Sequence, residues 1–90
     1  MKRIRVTDYC LNRISARRLD VNFVEEVIRS PEQIVQDDDD PNRRIYQSRF
    51  VDTKGKTKLL RVIVEENKDE IVGITVYPAS QFERYWKDEP

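Results

Sequence analysis

The stretch Lys56–Tyr77, KTKLLRVIVEENKDEIVGITVY, constrains the fold more than any other segment of this chain. Two β-rich runs, Lys58–Glu65 and Glu70–Tyr77, flank the polar tip Glu66-Asn67-Lys68-Asp69, which predicts an antiparallel hairpin with a short loop. Period-two alternation puts Leu60, Val62 and Val64 on one face, with Val72, Ile74 and Val76 across from them. Leu59, Arg61 and Ile63 face the other way, opposite Ile71, Gly73, Thr75 and Tyr77. The first set is uniformly apolar and needs a cover. The second mixes hydrophobic residues with a cation, a hydroxyl and a phenol, and is the candidate working surface.

The cover is expected from the N-terminal third. Thr7 is a good N-cap and Asp8 suits a first turn, so a helix is predicted over Asp8–Arg18 with Cys10, Leu11 and Ile14 on its buried side. Tyr9, Arg13 and Arg17 follow at i, i+4 spacing and form an adjoining stripe. Asp20 caps a second helix over Val21–Ser30, whose apolar face is Val21, Val24, Val27 and Ile28, and Pro31 stops it. Ahead of both, Lys2–Val6 reads as an extended lead-in or edge strand at best. Beyond Pro31, Ile34-Val35 form a brief strand, and the run Asp37–Asp40 breaks regularity by charge repulsion. Arg43–Asp52 resumes as a strand with Arg44, Tyr46, Ser48 and Phe50 on one side and Ile45, Gln47 and Arg49 on the other. A closing turn capped by Ser80 carries Phe82, Tyr85 and Trp86 at helical spacing, placed to seal the edge of the core. The predicted class is α+β. Two short N-terminal helices pack on one face of a three- or four-stranded antiparallel sheet, followed by a short C-terminal helical turn.

Ninety residues, 1–90, make a single domain. One cysteine, Cys10, excludes an internal disulfide and fits a cytoplasmic location. No apolar run is long enough to span a membrane or to serve as the core of a signal peptide. Formal net charge is zero, yet residues 1–18 carry a net +5, 19–40 a net −7, 41–64 a net +6 and 65–90 a net −4. A zero total is compatible with an anionic partner if basic blocks share a face, and equally with internal ion pairing.

The usual catalytic pieces are missing. There is no histidine to titrate near neutrality and no glycine-rich phosphate loop. Cys10 has no base to activate it, and no metal or cofactor is called for. The aspartate run lacks the alternating spacing and central glycine of a calcium loop and reads as a solvated turn. What remains is Arg61, a permanent cation in the middle of the central strand, with Thr75 and Tyr77 on its face by parity. An unpaired cation there requires either an open cleft or a carboxylate. In the cleft reading, guanidinium and hydroxyl donors bind a phosphodiester and stabilise developing charge. In the other, Arg61 pairs with an acid and the tyrosines are packing.

Thr7-Asp8-Tyr9-Cys10-x-x-Arg13 followed by Arg17-Arg18-Leu19-Asp20 resembles the N-terminal signature of a small bacterial domain-of-unknown-function family that usually reads T-D-H-A-x-x-R-x-x-x-R-G-I-S. Ser30–Val35, Ile45-Tyr46-Gln47, Leu59–Val64, Ile74–Tyr77 and Arg84–Lys87 resemble its later pieces in order. That family is similar in pattern to the RelE-like, barnase/colicin-type nuclease toxins. The resemblance implies a RelE-like sheet, RNA binding, metal-independent RNA cleavage on the open face and an antitoxin partner. Arg61, Arg17, Tyr77, Tyr46 and Thr75 would then be the catalytic set, and Tyr9, Arg13 and Arg49 would hold RNA. Tyr9 stands where the family commonly has histidine, and Arg18 where it has glycine. A phenol with a reference pKa near 10 is a poor base at neutral pH. The alternative from a different class is a non-catalytic interaction domain that pairs as a homodimer through a strand edge.

Overall fold

A computed structural model describes residues 2–87. The chain runs β1 (Arg3–Val6), α1 (Asp8–Ala16), α2 (Val21–Arg29), β2 (Gln33–Gln36), β3 (Arg43–Val51), β4 (Thr57–Glu66), β5 (Glu70–Ala79) and α3 (Phe82–Tyr85). The strands form one sheet in the order β1-β5-β4-β3-β2. β1 runs parallel to β5, and every other neighbouring pair is antiparallel. The α+β class is as expected. The sheet differs from expectation in having five strands and in being mixed. The N-terminal lead-in is the cause: β5 has a free outer edge, and pairing there lets Ile4 and Val6 pack against the core.

α1 and α2 cover one face. The Thr7 hydroxyl accepts from Cys10 N at 3.1 Å and the Asp20 carboxylate accepts from Asn22 N at 2.8 Å, so both predicted caps form. Cys10, Ile14, Val24, Val27 and Ile28 from the helices meet Tyr46, Leu60, Val62, Val64 and Val76 from the sheet in one buried cluster. Each fully buried aliphatic side chain there contributes roughly 1.5–3 kcal/mol. α3 lies on the opposite face, over Arg61, so the closing aromatics cover the polar side of the sheet and none of them is buried. Ser80 does not cap it; Gln81 holds the N-cap position without a side-chain bond. No described helix is long and apolar enough to cross a membrane.

A β-bulge corrects the predicted facing of the hairpin. Ile63 pairs with Thr75 and Val64 with Gly73, so Ile74 is the extra residue on β5. Beyond it parity reverses. Gly73 and Ile71 turn to the helix side, while Val72 pairs with Glu65 on the other side. Gly73 suits its new position because a Cβ there would stand 3.2 Å from Ile28 Cδ1. The bulge also anchors the start of α1. Thr7 N donates to Gly73 O at 3.0 Å and the Thr7 hydroxyl donates to Ile74 O at 3.1 Å.

α1 ends two residues earlier than expected, at Ala16, in a Schellman turn. Leu19 N bonds Ile14 O at 2.9 Å and Arg18 N bonds Ser15 O at 3.1 Å. The turn puts Arg18 at φ +54°, a left-handed conformation that an L side chain adopts at a penalty. Arg18→Gly should therefore stabilise the fold by roughly 0.5–1 kcal/mol, the relief of strain outweighing the added freedom of the unfolded chain. Denaturant titration of the two proteins measures it; a less stable glycine variant would refute the account.

Candidate functional site

Four polar residues lie at one level across four neighbouring strands. Gln33, Gln47, Arg61 and Tyr77 are successive cross-strand partners from β2 to β5. Register alone makes them touch. Gln47 Nε2 donates to Gln33 Oε1 at 2.8 Å, Arg61 Nε donates to Gln47 Oε1 at 3.0 Å and Arg61 Nη1 donates to Tyr77 OH at 2.7 Å. Gln47 is fully buried and Arg61 is 6% exposed.

The C-terminal segment closes over this row. Gln47 Nε2 donates to Tyr85 O at 3.0 Å, Lys87 N donates to Gln33 Oε1 at 3.1 Å, and Gln33 Nε2 donates to Lys87 O. The Tyr85 ring lies 4.1 Å from the Arg61 guanidinium carbon and the Tyr77 ring 5.6 Å. These cation–π contacts and hydrogen bonds stand where a carboxylate was one of the two expected partners. Among the described residues no acid comes within 4.0 Å of Arg61. Among the described residues no fully buried side-chain nitrogen lacks a partner and none bonds Nη2, so Nη2 is not fully enclosed by them.

Arg61 lines a groove of about 450 Å³. Arg61, Arg84 and Lys87 supply cations to its lining, Tyr77 and Tyr85 supply aromatic surface, and Val35, Ile45 and Ile63 supply apolar surface. Asp37, Asp38 and Asp39 line it as well. The aspartate run is a turn, as predicted, with Asp39 N donating to Asp37 Oδ1 at 2.9 Å and Asn42 N to Asp40 Oδ1 at 2.9 Å.

The structure brings together only part of the predicted site. Arg61 and Tyr77 touch, and Thr75 is half-buried on their face opposite Ile63. Arg49 shares that face, but the Glu32 carboxylate grips it through Nε and Nη2, the latter at 2.6 Å, and it stacks 4.8 Å from Trp86. That bond holds the Glu32 carboxyl below its ordinary range. Tyr9 and Arg13 belong to α1, and Arg17 is its C-cap, on the other side of the sheet. Tyr46 also points that way, into the helix-side core, where its hydroxyl donates to Glu66. The predicted convergence of Arg17 with Arg61 is therefore absent, because the sheet lies between them. Sequence reasoning missed Gln33, Gln47 and Tyr85. The parity of Gln47 with Arg49 was visible, but its meeting with Arg61 depends on the order and register of the strands.

The family described as "Domain of unknown function (DUF4258)" matches residues 6–78, a range that includes Gln33, Gln47, Arg61 and Tyr77 and stops short of α3. No curated protein and no solved structure matches the chain.

Burial, reinforced by the bond to Glu66, pushes the Tyr46 phenol up to about 12. The same bond, with help from Lys2, holds Glu66 below its ordinary range. The Tyr46 contribution to stability is complete below its ordinary pKa near 10 and is lost as pH rises toward about 12. The Glu66 contribution is present above the ordinary carboxyl range and disappears as pH falls through the lowered value. Tyr46→Phe should remove the latest phase of tyrosinate formation in an alkaline absorbance titration. It should also weaken the acid-side dependence of unfolding free energy; an unchanged alkaline titration would refute the assignment.

Proposed function

The chain belongs to this family of unknown function, and from that premise we propose that it binds single-stranded RNA in the groove at Arg61, one phosphate at a time. The observation that carries the reading is an arginine that is 6% exposed, lines a groove, and has no carboxylate within 4.0 Å and no partner for one guanidinium nitrogen among the described residues. A desolvated cation of this kind gains most from an anion placed against it. A groove of about 450 Å³ is of nucleotide size. The apolar and tyrosine surfaces offer a base a place to stack. Asp37–Asp39 repel a second phosphate but accept hydrogen bonds from ribose hydroxyls or base amino groups.

The likeness to RelE-like nuclease toxins supports the same ligand, and within it an antitoxin partner and metal-independent cleavage. In such cleavage Arg61 would stabilise developing charge and the Tyr77 hydroxyl would position the phosphate. With Arg17 and Tyr46 on the far side of the sheet, binding and charge stabilisation are better supported by the geometry than proton transfer. A second reading, the non-catalytic interaction domain, is favoured by a separate observation: β1 and β2 are outer strands of the sheet.

Titration of a fluorescent RNA oligonucleotide tests the first reading. Arg61→Met should weaken binding at least about tenfold, equivalent to ~1.4 kcal/mol. Neutralising the acids by Asp37→Asn, Asp38→Asn and Asp39→Asn together should strengthen it. No binding by the unmodified protein, or equal binding by all three, overturns the proposal. New RNA ends formed in the presence of a chelator would extend it from binding to metal-independent cleavage.

A further inference from the structure

We propose that the sheet continues from one copy of this chain to the next, β1 of one copy pairing antiparallel with β2 of its neighbour. The inference deepens the second reading above and does not depend on RNA.

The backbone supplies the first argument. Arg3 N and Thr7 N bond carbonyls of Asp69 and Gly73 beside β5, both at 3.0 Å, so the alternate residues Ile4 and Val6 turn their N–H and C=O groups outward. At the other edge Asp37 N bonds Arg43 O at 3.3 Å, and by the same alternation Ile34 and Gln36 face outward from β2. Strand directions supply the second. Through the pairings β1–β5 parallel, then three antiparallel steps, β1 and β2 point opposite ways in one sheet. A neighbour shifted along the sheet without being turned over therefore meets β2 in antiparallel fashion, with the helix layers on the same side.

Register supplies the third. Setting Val6 opposite Ile34 and Ile4 opposite Gln36 matches the outward backbone groups and keeps side-chain faces aligned. It also sets Arg3 opposite Asp37 and Lys2 opposite Asp38, and covers Ile34, which is 51% exposed. The fold has brought the basic block of residues 1–18 to one edge and the end of the acidic block to the other. Like edges fit badly. In the corresponding registers β1 against β1 places Arg5 against Arg5, and β2 against β2 places Glu32 against Asp38. The join is thus heterologous and open-ended, not a closed dimer. Each strand has four residues, so the contact is weak and sensitive to salt.

Sedimentation equilibrium of the full chain, without RNA, tests it up to millimolar protein at low and high salt. The expected result is a weight-average mass that climbs past twice the monomer with concentration at low salt and falls back at high salt. Lys2→Asp with Arg3→Asp in one protein, and Asp37→Lys with Asp38→Lys in another, should each stay near monomer mass. Mixing the two reciprocally charged proteins should restore assembly. Ile34→Pro, which removes an outward N–H without touching the β3 ladder, should also stay monomeric. A monomer at every concentration of the unmodified protein, a mass that stops at the dimer, or variants that assemble as it does would overturn the proposal. Loss of assembly with RNA binding intact would separate this interface from the groove.

Discussion

A guanidinium placed in the middle of a sheet must be held by something, and in this protein the holding determines how one whole face is built. Arg61 is desolvated by the strands on either side, so its hydrogen bonds cannot be left to water. Gln47 from β3 and Tyr77 from β5 meet it because they are its register partners. Gln33 extends the row to β2 and, by bonding the main chain at Lys87, draws the C-terminal segment across the sheet. α3 is only four residues long and buries none of them, so apolar packing does not explain its position. The Tyr85 carbonyl and ring do, since each completes a polar group of the row.

On the opposite face the organising event is the bulge at Ile74. One extra residue shifts parity along β5, which brings Gly73 under Ile28 and frees the Ile74 carbonyl for Thr7. Thr7 then does two jobs: its hydroxyl caps α1 and donates to the bulge. The parallel strand β1 ends at the same place, so the strand, the helix start and the bulge depend on one another. A change at any one of them is felt at the other two.

These devices explain what could be read in the sequence and what could not. Alternation in Leu59–Val64 identified the buried face of β4, and caps at Thr7 and Asp20 located both N-terminal helices, because these signals are local. The bulge was unreadable: Ile74 and Val72 are as apolar as a regular strand would want, and only the approach of Gly73 to Ile28 of α2 and to β1 distinguishes the shifted register. The N-terminal segment could be read only as a lead-in or edge strand because Arg3–Val6 is too short to declare a partner, and its parallel pairing requires knowing which edge of β5 is free. At the site, parity predicted that Arg61, Thr75 and Tyr77 share a face. It could not predict that Tyr46 lies behind the sheet with the helices, since that depends on the register of β3 against β4. Arg18 was visible as a departure from a family glycine, and its left-handed backbone shows what the glycine would have supplied.

Arg61 and the aspartates of the groove remain apart for a structural reason. Arg61 is held by its row and the aspartates by hydrogen bonds within their turn, and among the described residues no carboxylate lies within 4.0 Å of Arg61. Exposed carboxylates stay well hydrated in such a turn, while the buried guanidinium does not, and the field between them is screened over about 8 Å in physiological salt. In the proposed RNA-binding reading, a phosphate that fills the gap would therefore be strongly favoured at one wall and only weakly opposed at the other.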